Sequence, residues 1–195
     1  MIHSNQTFKQ FFEMISNDPA FFVDFDETLV SSNRVSKFND ELQELIDDQD
    51  VDKYLFENRG QDWVSFLRPH AIEFLNELKK LGNVYILTAG AKEFQLPIKN
   101  YFHMPISDDH VFGPNQYSEV PYFKNAFLID NLHFHASDII EKLTVMGHPP
   151  EYSDQDNEYI ENDRHIQVKP FYYQNIGTDN ELVNVLNFVR ENLHK

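Results

Sequence analysis

Residues Ala20-Phe21-Phe22-Val23-Asp24-Phe25-Asp26-Glu27-Thr28-Leu29-Val30 run an apolar, strand-like segment directly into two aspartates spaced i and i+2 and then a threonine. In an extended chain alternate residues share a face, so a strand over about Phe21 to Phe25 starts Asp24 and Asp26 on one side of the backbone. Bringing two like charges together in a buried place costs free energy unless a positive group lies beside them. A divalent cation meets that need, and an all-oxygen site of this kind suits Mg²⁺. An apolar strand followed by Asp-x-Asp-x-Thr therefore points to metal-assisted chemistry at the end of a strand.

The rest of the chain limits where such a strand can sit. Its 195 residues suffice for one domain, 1–195, with a real core and small insertions. The hydrophobic fraction of 41% is that of a folded globule. No apolar run reaches the roughly 18 residues of a membrane span, and Met1-Ile2-His3-Ser4-Asn5-Gln6 lacks the pattern of a secretion signal. With zero cysteines, disulfides, thiolate metal sites and cysteine nucleophiles are all excluded. The expected setting is cytoplasmic, and Asn5-Gln6-Thr7 is then a chance match to a glycosylation acceptor. A formal charge of −16 repels polyanions, so duplex nucleic acid is not an expected partner, and without an apolar span neither is a membrane. A phosphate site in such a field needs local positive charge of its own.

Periodicity predicts alternating elements. Phe8, Phe11, Phe12 and Ile15 lie at helical spacing, and Asn17-Asp18-Pro19 forms a turn before the first strand. A short helix is expected around Asn39 to Ile46. Two strand-like runs flank Asn58-Arg59-Gly60-Gln61 and read as a β-hairpin over 54–67, with Trp63 and Phe66 packing it onto the core. Arg68-Pro69 opens an amphipathic helix with Ile72, Phe74, Leu75, Leu78 and Leu81 on its apolar face, stopped at Gly82-Asn83. Val84 to Leu87 is a buried strand ending in Thr88-Ala89-Gly90, followed by a helix over about Lys92 to Tyr101. Ala126 to Ile129 is the third apolar strand, ending in Asp130-Asn131. Residues 147–164 form an acidic insertion, Ile166 to Val168 a short strand, and Leu182 to Val189 a closing helix.

Apolar strands separated by helices form a parallel sheet flanked by helices, an α/β fold. Ligands of such sheets bind beyond the carboxyl ends of the strands. Right-handed crossovers bring Asp24-x-Asp26-x-Thr28, Thr88 and Asp130-Asn131 to one edge. Other chemistry-bearing pairs carry less. His133 and His135 at i and i+2 diverge on a helix, and Asp154, Asp156 and Glu158 lack the glycine of a calcium loop.

These three strand ends resemble the haloacid dehalogenase superfamily of phosphohydrolases. The segments Asp26-Glu27-Thr28-Leu29-Val30-Ser31-Ser32, Arg68-Pro69-His70 with Phe74-Leu75, Leu87-Thr88-Ala89-Gly90, Ile129-Asp130-Asn131 and Asp179-Asn180-Glu181-Leu182 are similar to the branch containing the phosphatases of the RNA polymerase II carboxy-terminal domain, the NIF-like branch. The likeness covers residues 20–135 and 166–193. It implies a Rossmannoid sheet with a small β-hairpin insertion, about 31–67, after the first strand. It also implies a phosphoric monoester hydrolase working through an aspartyl-phosphate. Asp24 would attack phosphorus, and Asp26 would protonate the leaving oxygen and then deprotonate water. Mg²⁺ would be held by Asp24, the carbonyl of Asp26, Asp130 and Asn131. Thr88, with the backbone at Ala89, would bind phosphoryl oxygens, and Thr28 would brace the loop.

The superfamily also keeps a lysine beside the nucleophile, usually at the start of the helix before the third strand. Residues 106–123 contain none, and Lys124 lies six residues before Asp130, roughly 20 Å away along a strand. Lys92, just after Thr88, is the candidate. The expected function is a Mg²⁺-dependent phosphatase acting on a phosphoprotein. A small-molecule phosphatase such as a 5′-nucleotidase, with 147–164 as a lid, and a non-catalytic interaction protein on the same fold are the alternatives.

Overall fold

A computed structural model describes residues 18–36, 39–121, 123, 126–132 and 165–193. The expected helix near residues 6–16, Lys124, His133, His135 and the 147–164 insertion lie outside them.

Five parallel strands form the main sheet: β1 (Ala20–Val23), β5 (Asn83–Leu87), β6 (Val111–Phe112), β7 (Ala126–Asp130) and β8 (His165–Gln167), in the order β6-β5-β1-β7-β8. The central strand β1 pairs with β5 on one side and β7 on the other, with Val23 level with Ile86 and Ile129. Its side chains alternate between two apolar layers. Phe21 and Val23 join the layer containing Phe74, Leu75 and Leu78, and Phe22 packs with Tyr85, Phe112, Phe123 and Leu128. Burial on both faces explains why this strand reads as an unbroken apolar run.

Helix α2 (Ala71–Leu81) buries Ala71, Phe74, Leu75 and Leu78, and the closing helix α4 (Glu181–Asn192) buries Leu182, Val185, Leu186 and Val189. Both contribute to the first layer, as does Ile98 of α3 (Lys92–Tyr101). The 82–83 stop and the 92–101 bounds match the sequence expectation closely, because a glycine ends one helix and the period-3.6 pattern defines the other.

The insertion contains the hairpin expected over 54–67 and one strand more. Strands β3 (Lys53–Asn58) and β4 (Gln61–Leu67) form that hairpin around Arg59 (φ 52°) and Gly60 (φ 71°), the doubly left-handed turn that suits two-residue loops. A third strand, β2 (Val30–Arg34), pairs antiparallel with β4 to complete a separate three-stranded sheet. Its sequence, Val-Ser-Ser-Asn-Arg, has no apolar alternation to announce it. Ser32 and Ser65 instead meet across the strands at 2.7 Å, while Phe66 and Val64 bury against Leu42 of α1 (Asp40–Asp47). Asn39 caps α1 by accepting the amide of Leu42 at 2.9 Å. Among the described residues no helix is long and apolar enough to cross a membrane.

Candidate active site

Strand β1 ends at Val23, two residues earlier than expected, so Asp24 and Asp26 sit on the turn that follows and not on the strand pleat. The amide of Asp24 still donates to the carbonyl of Ile129 at 2.8 Å, which fixes it beside the end of β7. The chain then folds tightly: the amides of Leu29 and Val30 both reach the carbonyl of Phe25, at 2.9 and 3.1 Å. Glu27 adopts φ 59°, a left-handed conformation that strains a residue with a Cβ. Phe25 and Leu29 are fully buried, so the turn is anchored in the core, and the charge of Asp26 reaches Asp24 across it. Proximity of the two carboxylates therefore comes from the turn, not from the alternation of a strand.

The neighbouring strand ends deliver their groups to the same place. Asp130 is 1% exposed and Asp24 6% exposed, so two carboxylates share a nearly dry site. Burial first, then the charge of Asp130, then that of Asp26, raise the Asp24 carboxyl well above the usual range, against the hydrogen bonds of the Phe25 backbone and Thr28. Asp26, partly exposed, is pushed up to about 6 by burial and by Glu27, opposed by a hydrogen bond from Gln95. Asp130 Oδ1 accepts the amide of Leu132 at 2.7 Å. Asn131 is a hub: its Oδ1 accepts from Thr28 at 3.3 Å and its Nδ2 donates to Glu27 at 3.1 Å. Thr28 thus ties the turn after β1 to the residue following β7.

Thr88 is fully buried at the end of β5. Its hydroxyl accepts the amide of Gly90 at 3.0 Å and its carbonyl accepts the Tyr117 hydroxyl at 2.7 Å. Ala89 is exposed at the same strand end, and Lys92 is partly buried at the first position of α3. A hydrogen bond from Lys99 lowers the Asp108 carboxyl and one from Ser107 lowers Asp109, with the charge of Lys92 adding least to each, whereas among the described residues no lysine or arginine charge acts on Asp24 or Asp26.

Sequence reasoning missed two residues here. Gln95 is 1% exposed and its Nε2 donates to Asp26 Oδ2 at 2.5 Å. Gly90 lies among the same groups: a Cβ there would run into Gln95 Nε2 and stand 3.2 Å from Asp26 Oδ2 and 3.3 Å from Thr88 Oγ1.

The donor set fits a hard divalent cation. Asp24, Asp130 and the Asn131 amide oxygen, with nearby backbone carbonyls, are all oxygen donors, and the two carboxylates raise one another's affinity for positive charge. Among the described residues no three His, Cys, Asp or Glu side chains form a metal-holding group. A cation here would therefore keep water or substrate oxygens in its shell, the habit of Mg²⁺.

An aspartate pair after the central strand, met by a threonine from one neighbour and an acid–amide pair from the other, is the arrangement of the haloacid dehalogenase-type phosphatases. The chain belongs to the NLI interacting factor-like phosphatase family, whose model matches residues 20–195. Among solved structures it is similar to Fcp1, an essential RNA polymerase II CTD phosphatase, at 15% identity and a TM-score of 0.53 over 96% of this chain and 54% of that one. A fission yeast Fcp1 variant bound to beryllium fluoride matches at 14% identity and a TM-score of 0.51, over 97% of this chain and 53% of that one. The chain thus spans about half the length of these structures, and at such identity the likeness speaks for the fold. A search of curated proteins finds no match to the sequence.

Proposed function

We propose that the protein is a Mg²⁺-dependent phosphatase that removes phosphate from a phosphoprotein through an aspartyl-phosphate on Asp24. The observation carrying this reading is the cluster of buried Asp24, Asp130 and Thr88 with the partly exposed Asp26, whose charge acts on Asp24. In the first half-reaction an Asp24 oxygen forms a bond to phosphorus while the ester P–O bond breaks and Asp26 gives its proton to the departing oxygen. In the second, water forms a bond to phosphorus, gives a proton to Asp26, and the bond between phosphorus and Asp24 breaks to release inorganic phosphate. An Asp26 pKa of about 6 lets one carboxyl serve as acid and then as base near neutral pH. Thr88 and the backbone at Ala89 would hold phosphoryl oxygens, with Lys92, at the first position of α3, as the candidate cation. Mg²⁺, held by Asp24, Asp130, Asn131 and the Asp26 carbonyl, would supply charge neutralisation.

A phosphoprotein substrate is favoured because the insertion after β1 is a small antiparallel sheet within residues 30–67, and because the family and fold neighbours point to that class. The test is hydrolysis of phosphoserine and phosphothreonine peptides against 5′-nucleotides, with Mg²⁺ present. Preference for peptides supports the reading. Preference for nucleotides redirects it to a small-molecule phosphatase. No hydrolysis of either, or of an aryl phosphate, overturns it in favour of a non-catalytic role.

A further inference from the structure

We infer that Gln95 is a positioning residue that clamps the Asp26 carboxyl in the orientation from which it exchanges its proton. This rests on the catalytic reading of Asp24 and Asp26 above. The geometry begins with α3, whose first turn closes on its N-cap Ala91, the amides of Phe94 and Gln95 both reaching the Ala91 carbonyl, at 2.9 and 3.2 Å. That places Gln95 one turn in and directs its amide back toward the nucleophile turn, where Nε2 donates to Asp26 Oδ2 at 2.5 Å. The other amide atom, Oε1, is buried without a hydrogen-bond partner among the described residues. Leaving a buried acceptor unmet costs about 1–3 kcal/mol, so a leucine or methionine would serve a purely packing role better. Gly90 completes the device by leaving the amide room, since any larger residue there would displace Gln95 Nε2.

The consequence is chemical. An acid group free to turn presents either oxygen to the substrate or neither. With Oδ2 held by Gln95, Oδ1 is left to give its proton to the ester oxygen as the ester P–O bond breaks, and to take one from water as the aspartyl-phosphate hydrolyses. Nε2 can donate to Oδ2 whether Oδ1 carries the proton or not, so the clamp persists through both halves of the cycle.

Leaving-group dependence tests this assignment. Gln95→Met keeps the length and removes the donor, and Gln95→Ala removes both. Each is compared with wild type and Asp24→Asn on 4-nitrophenyl phosphate, whose leaving group departs without a proton, and on a phosphoserine peptide, whose alkoxide needs one. Loss of the clamp is expected to lower kcat on the peptide about 10- to 100-fold more than on the aryl ester, with KM changed less than about threefold. Equal losses on both esters, or no loss on either, would overturn the assignment while Asp24-dependent wild-type activity leaves the phosphatase reading standing. Failure of both variants to fold also overturns it, because a clamp on Asp26 is not needed for folding. An inactive wild type, or an Asp24→Asn variant as active as wild type, brings down the phosphatase reading and this inference with it.

Discussion

Arg68 and Asp179 form a two-pronged ion pair in the core, with Nε donating to Oδ1 at 3.0 Å and Nη2 to Oδ2 at 2.8 Å. Arg68 is fully buried, and its remaining donors reach the carbonyls of Thr28 at 3.1 Å and Lys169 at 3.0 Å. Its guanidinium also stands 5.4 Å from the centre of the Phe171 ring, and the amide of Phe171 reaches the Glu27 carbonyl at 2.6 Å. One side chain therefore fastens the turn after β1 to the segment leading into α4. Removing one member of a buried pair leaves the other charge unmet, which costs about 3–5 kcal/mol. Asp179→Ala is expected to lose that much in urea denaturation, and Arg68→Lys a large part of it, since an ammonium cannot form the fork. A loss below about 1 kcal/mol for Asp179→Ala would show the pair to be dispensable.

Proton uptake should leave a mark on stability. The Asp26 carboxyl moves from 3.8 to about 6, chiefly by burial, and Asp24 moves in the same direction. The folded state then binds these protons more tightly than the unfolded chain does. For Asp26 the resulting stabilisation is full below about pH 4 and is lost as pH rises through about 6. Discounted for partial exposure, it amounts to roughly 2 kcal/mol. In chelator, the stability difference between wild type and Asp26→Asn should shift against wild type by that amount over this interval, and Mg²⁺ should offset part of the loss through binding to the folded form. A difference that is flat with pH would contradict the burial of Asp26.

Much of this was legible in the sequence, for physical reasons that also explain what was not. Strands β1, β5 and β7 are buried on both faces, so each is a continuous apolar run ending in its polar group, and the order Asp24, Thr88, Asp130 follows from the connections between parallel strands. Strand β2 was not legible, because Ser31, Ser32 and Asn33 owe their extended form to pairing with β4 rather than to any pattern of their own. Strand β6 has two residues, too few for a period to show. Gln95 reads as an ordinary helix residue until the turn after β1 places Asp26 against it, and nothing local links Arg68 to Asp179.

Space at Gly90 is a further point of sensitivity. Its missing side chain is what lets Gln95, Asp26 and Thr88 converge, so Gly90→Ala should displace the amide of Gln95, the most yielding of the three. We expect kcat to fall about tenfold or more through misplacement of the acid, with little change in the unfolding midpoint. Steady-state kinetics beside thermal unfolding checks this, and an unchanged kcat would mean the site has room that the geometry denies.

Thr88→Val removes a hydroxyl that is fully buried at the strand end and preserves the shape of the side chain. If that hydroxyl serves phosphoryl oxygens, kcat/KM on an aryl phosphate should drop about 10²- to 10³-fold. Loss of its bond to the Gly90 amide should cost only about 1 kcal/mol of stability. An activity loss no larger than the stability loss predicts would assign Thr88 to loop structure alone.

The central claim is a covalent phosphate on Asp24, and trapping it is the most direct measurement. An Asp26→Asn variant should still accept phosphate from an activated aryl ester, because that leaving group needs no proton, but should hydrolyse the adduct slowly. Rapid acid quench with Mg²⁺ present, followed by peptide mass spectrometry, is predicted to find one hydroxylamine-labile phosphate per chain on Asp24, absent from Asp24→Asn. Turnover by the wild type with no adduct in the trapping variant, or an adduct on any other residue, would contradict the account.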